Sequence, residues 1–219
     1  MSTSSHARLR AMLATFATLT VSATVVYADG PYSYTGHGGQ YDVLFIPYQD
    51  VAYGHTETVS LNLNTGNALS YLTHFAIGAR GISARTGLPH GRGLAIGHME
   101  AITPCTSGTA VAVEDFDGPG VLPNTAICYP FANNTVYRIV MNVADNDVSF
   151  TIYEREGNDG HGAFWSEVMS GGCLATGHAC PVSRIEGNAG DAFVLSAPSS
   201  PSAPASWSWS ASQIIVTSN

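Results

Sequence analysis

Glu154 and Glu156 stand two residues apart on one predicted strand, with Arg155 between them. That spacing places both carboxylates on one face of a strand. Cleavage of a glycosidic bond requires two such acids about 5 to 9 Å apart. The pair runs straight into Gly157-Asn158-Asp159-Gly160, however, which is the composition of a solvated strand end. Glu57 and Glu167 have less support, and no dense acid motif of the glycosidase type is present. A Gly-x-Ser-x-Gly nucleophile motif is absent, so no catalytic residue is assigned. Oxygen ligands at i and i+2 occur in Asp115-Phe116-Asp117 and in Asp145-Asn146-Asp147. The spacing suits calcium, although neither stretch completes a calcium loop. Asp115 and Asp117 are the expected metal ligands, holding a structural calcium if any cofactor is present. The histidines are dispersed and form no two-histidine zinc motif.

Binding chemistry is better represented. Trp207 and Trp209 fall on one face of a C-terminal strand, with Ser208 and Ser210 on the other. An aromatic strip flanked by hydroxyls suits stacking on sugar rings, though such strips more often fill a core. The expected ligand-binding residues are Trp207, Trp209, Tyr153, Asn142 and Arg138. Arg85, His90 and Arg92 form a second polar cluster, read as part of a solvated loop.

The element that must position most of these is a hairpin. Tyr137, Ile139, Met141 and Val143 share a face on its first strand, and Val148, Phe150 and Ile152 share one on its return. Asp145-Asn146-Asp147 is the turn between them. The opposite face carries Arg138, Asn142, Ser149, Thr151 and Tyr153, so a cleft is expected over that polar face or over the Trp207/Trp209 strand. Further strands are expected at 42–48, 56–63, 73–82, 93–102, 109–113 and 192–196, and at Trp207–Val216. Residues 163–169 read as a strand or a single helical turn. Gly78 and Gly97 inside strands predict bulges or a close backbone approach. Pro47 confines its strand to an edge or a bulge. After residue 28 no window carries a helical hydrophobic period. The fold class expected is all-β, an antiparallel jelly-roll-type β-sandwich with long loops.

The order of signals resembles the concanavalin A-like lectin/glucanase sandwiches. The likeness lies in Asn134-Thr-Val-Tyr137-Arg-Ile, in Val148-Ser-Phe-Thr-Ile-Tyr153 and in the final strand, and it spans Thr125–Tyr153 and Ala205–Val216. Such a resemblance implies carbohydrate binding or cleavage. The paired acids of its catalytic members are not recognisable in this chain.

Bulk composition limits the partners. The chain has 219 residues and a net charge of −8, with only 11% charged residues. All of its basic residues apart from histidine are arginines. A protein that tracks phosphates needs a basic stripe, so nucleic acid is excluded. Residues 1–28 have the three-part pattern of a signal peptide, with small residues at the −3 and −1 positions before Asp29. Residues 29–219 then form one domain, with a Ser/Pro-rich loop at 196–206 before the last strand. No later stretch reaches membrane-spanning length, and the expected location is secreted or periplasmic. The four cysteines suit disulfides in that setting. Of three possible pairings the most local is Cys105–Cys128 with Cys173–Cys180. The leading expectation is an exported, non-catalytic protein that binds carbohydrate or a cell-surface ligand. The alternatives are a glycoside hydrolase or polysaccharide lyase, and a structural envelope or extracellular protein.

Overall fold

The computed structural model describes residues 24–28, 30–36, 42–49, 57–70, 72–83, 89–97, 109–115, 120–121, 125–144, 147–158, 162–173, 185–198 and 207–218. Two seven-stranded antiparallel sheets face each other. Sheet A runs β1 (Thr24–Ala28), β14 (Trp207–Ser218), β4 (Glu57–Asn64), β10 (Val136–Ala144), β11 (Asp147–Asn158), β12 (Ala163–Gly172), and β2 (Tyr32–Gly36) also pairs with β14. Sheet B runs β3 (Asp42–Gln49), β13 (Ile185–Pro198), β5 (Leu72–Ser83), β6 (Pro89–Gly97), β7 (Thr109–Asp115), β8 (Gly120–Val121), and β9 (Ile127–Tyr129) also pairs with β7. No α-helix occurs among the described residues, so none there crosses a membrane as a helix. The expected all-β sandwich is the fold.

Alternation of side chains explains the core. Val59, Leu61 and Leu63 of β4, the odd-numbered residues 137–143 of β10, and Val148, Phe150 and Ile152 of β11 are all buried. They pack in one cluster with Phe75, Ile77, Leu94, Ile96, Val111 and Val113 of sheet B. Removing that apolar surface from water is the main force holding the sheets together. The hairpin pairs from Tyr137 opposite Glu154 to Ala144 opposite Asp147, so Asp147, expected in the turn, opens the return strand. Tyr129, Phe131 and Tyr137 close one end of the core as edge-to-face rings, with centroids 4.9 to 6.5 Å apart. The Tyr137 hydroxyl accepts from the Ala132 backbone N–H at 2.9 Å.

That ring cluster makes the fold sensitive to alkali. Burial, reinforced by the Glu154 carboxylate, holds the Tyr129 hydroxyl well above the usual phenol range, and burial raises Tyr137 as well. A neutral form favoured in the folded state means that the unfolded chain loses its proton first as pH rises. Stability from these groups is therefore present below about pH 10 and is lost above it. Denaturation midpoints measured between pH 8 and 11.5 should fall steeply past pH 10, and Tyr129→Phe should flatten the fall.

Several expectations change in detail. β13 spans Ile185–Pro198, far longer than the strand expected at 192–196, so the Ser/Pro-rich stretch lends its first residues to a central strand. Residues 163–169 are strand, within β12. β6 begins at Pro89, which puts His90 and Arg92 in a strand rather than in a loop, and Arg85 lies outside the described residues. Pro47 sits on β3, at the sheet B edge, as its missing N–H requires. Thr24–Ala28, the end of the predicted leader, forms β1 and pairs with β14 from Ala28 opposite Ile214 to Thr24 opposite Ser218. Cys105 and Cys180 lie outside the described residues, whereas neither Cys128 nor Cys173 is a free thiol.

Candidate functional site

The outer face of sheet A is polar because every inward apolar residue leaves an outward neighbour. One row crosses four strands in register: Tyr153 on β11, Arg138 on β10, Asn62 on β4 and Ser212 on β14. The row is fixed by its own contacts. Arg138 donates from Nε to Asn62 Oδ1 at 3.2 Å, and Asn62 donates from Nδ2 to Gln213 Oε1 at 2.7 Å. The Arg138 guanidinium lies 4.1 Å from the centre of the Trp165 ring on β12, a cation–π contact. Asn62 is 9% exposed, so its amide is held rather than free to rotate in water.

A break in β14 supplies Gln213. The core positions run Trp207, Trp209, Ala211 and then Ile214 and Val216. The register with β4 shifts between Ser212 and Ile215, and Gln213 takes a left-handed backbone with φ of 50°. The extra residue of this bulge turns Gln213 outward and still buries Ile214. Side chains from β4, β10, β11, β12 and β14 thereby surround one depression. A recess of about 450 Å³ opens between Ser60, Asn62, Arg138, Tyr153 and Gln213. A second, of about 430 Å³, shares Asn62, Arg138 and Gln213 and adds Arg155 and Trp165. Both are shallow and open to solvent; Val140 and Ile215 give the first an apolar floor, whereas the second is mainly polar, which suits a ligand that offers both apolar faces and hydrogen-bonding groups.

No family model matches the chain, and no curated protein matches it. Solved structures do match. The lectin UEA-II complexed with galactose aligns at 7% identity with a TM-score of 0.51, covering 90% of this chain and 92% of that one. The Lotus tetragonolobus seed lectin aligns at 8% identity with a TM-score of 0.50, covering 91% of this chain and 94% of that one. The fold is the concanavalin A-like lectin sandwich.

Within this lectin-type sandwich the expected binding residues part company. Arg138 and Tyr153 line the recess. Asn142 lies on the same face two pairs further along β10, where it accepts from Thr58 Oγ1 at 2.8 Å and lines neither recess. Trp207 and Trp209 are 1% and 2% exposed and belong to the core, so the stacking platform expected of them is corrected. Their face of β14 is the one that meets sheet B, and the two large rings fill the space between the sheets. Trp209 stands edge-on to Phe75 with centroids 5.7 Å apart. Among the described residues the aromatics that line the recesses are Tyr153 and Trp165.

The two acids stay together: Glu154 and Glu156 both line a third open recess, of about 400 Å³, with Asn134, Thr135, Val136, Arg155 and Gly157. Glu154 lies in register with core-facing Tyr137 and accepts from the Tyr129 hydroxyl at 2.7 Å. Glu156 occupies a second bulge, between Arg155 and Gly157, and accepts from the Ser166 hydroxyl. The bulge leaves Glu156 beside Ser166, the register partner of Glu154, so both carboxylates border one recess, each accepting from a hydroxyl. Asp115 ends β7, and Asp117 lies outside the described residues. Next to Asp115, burial pushes the Glu114 carboxyl up to about 7.

Proposed function

We propose that the protein is a non-catalytic glycan-binding protein and that the outer face of sheet A is its binding surface. The observation that carries this reading is the pair of adjoining recesses, in which aromatic rings, amides and a guanidinium converge in fixed orientations. Neutral hydroxyl-rich ligands need donors and acceptors held in place beside an apolar ring, and Asn62, Gln213, Tyr153 and Trp165 offer that combination. The galactose complex of UEA-II, a protein of similar fold, is consistent with it. Export from the cytoplasm, cleavage after Ala28, disulfides Cys105–Cys128 and Cys173–Cys180, and a structural calcium at Asp115 and Asp117 belong to the same proposal. So does a glycan or cell-surface ligand as the partner.

Binding to an immobilised panel of neutral and acidic oligosaccharides tests the surface. Tyr153→Ala and Trp165→Ala, both at half-buried rings, should each weaken binding about threefold to tenfold. Their thermal midpoints should stay close to the parent. Retention of full binding by both variants would rule this face out.

A further inference from the structure

We infer that the recess selects acidic saccharides, held through a carboxylate or sulfate carried on the sugar, an inference that rests on the glycan-binding reading above. A guanidinium has five N–H donors. Arg138 uses its Nε on Asn62, and no other hydrogen bond of this side chain occurs among the described residues. Asn62 and the Trp165 ring fix the plane of the fork, so its Nη groups are presented to the recess in a set orientation. That arrangement suits a planar carboxylate or a sulfate, which accepts two parallel N–H bonds. Arg155, an exposed side chain on the neighbouring strand, lines the adjoining recess.

The charge placement is unusual for this chain. Net charge is −8, with eight arginines and no lysine. Two of those arginines line the joined recesses, and no Asp or Glu does. The acids nearest in register are accounted for. Glu154 and Glu156 border a separate recess that Arg155 also lines, where they accept from the Tyr129 and Ser166 hydroxyls, and Glu167 is exposed on β12 opposite Tyr153. A neutral sugar would leave the Arg138 fork without an anion, whereas a uronate or a sulfated sugar would fill it.

The test uses the full chain and isothermal titration with four probes: a galactose trisaccharide, a galacturonate trisaccharide, a sulfated galactose trisaccharide and inorganic sulfate. The expected result is that one or both acidic trisaccharides bind at least tenfold more tightly than the neutral one. The two acidic arms distinguish carboxylate from sulfate. Arg138→Gln should collapse that preference by about tenfold to a hundredfold, and Arg138→Lys should restore part of it. Arg155→Gln, at an exposed position where folding is not at issue, should lower it by a smaller factor. Equal binding of neutral and acidic trisaccharides would overturn the inference and leave the glycan reading standing. Equal loss on all saccharides in Arg138→Gln would do the same, marking Arg138 as a structural strut. Inorganic sulfate binding as tightly as the sulfated sugar would also overturn it, because the sugar would then not be recognised. No binding of any saccharide would remove both readings.

Discussion

Trp209→Ala is expected to cost about 3–5 kcal/mol of folding stability, the range for emptying a large aromatic site in a packed core. The ring is 2% exposed and stands against Phe75, so the cavity would be lined by apolar side chains that cannot collapse across two sheets. Domains of this kind have on the order of 5–15 kcal/mol in total, and the variant should populate unfolded chain at modest denaturant. Trp207→Phe makes the contrast. The Trp207 indole N–H is buried without a hydrogen-bond partner among the described residues, a condition that costs about 1–3 kcal/mol. Phenylalanine removes that orphan donor while losing some volume, and the change should come out below about 2 kcal/mol. Urea melts of the two variants check both numbers. A Trp209→Ala protein as stable as the parent would contradict the buried position.

Gly93→Ala should cost about 3 kcal/mol, the upper end for overpacking. Gly93 on β6 pairs with Gly78 on β5. A methyl at 93 would press on the Ile77 carbonyl oxygen and would lie 2.5 Å from Gly78 Cα. Both obstacles are backbone, so no rotamer change relieves them, and the strands themselves would have to part. Gly157→Ala on β11 is the matched control, because a methyl there meets nothing within 4 Å. It should change stability by about 0.5 kcal/mol or less. Thermal melts of the pair decide the matter. Equal melting temperatures would show that β5 and β6 are not held so close.

These two glycines also show how the sequence was read. Gly78 was expected to mark a bulge or a close approach, and the pairing of β5 with β6 runs unbroken from His74 to Ile82, so the close approach is the answer. The reading did not pick out Gly93 as its partner, since partners across strands are not visible in one dimension. The sandwich was legible because period-two burial runs through Val59–Leu63 of β4, Tyr137–Val143 of β10 and Val148–Ile152 of β11. Arg138 and Tyr153 were legible for the same reason, as outward residues of the best-marked hairpin. Trp165 was noted only as an addition to the aromatic strip, because its importance comes from lying across β11 from Arg138. Gln213 was missed outright. Strict alternation from Trp207 assigns it to the core, and the only sign to the contrary is that Ile214-Ile215-Val216 breaks the period just after it. The acids were legible as a pair, since Glu154 and Glu156 border one recess, but the bulge at Glu156 was not. Bulges are decided by which residues can be buried on the partner strand, and that information sits elsewhere in the chain.

The row Tyr153–Arg138–Asn62–Ser212, completed by Gln213, has a consequence for the integrity of the surface. Its members are drawn from residue 62 to residue 213, and β14 lies beside β4 to finish the recess. The surface is therefore assembled only where β14 has docked on β4, however well the central hairpin has formed. A change that loosens that docking would take Gln213 out of the recess without altering any residue that lines it.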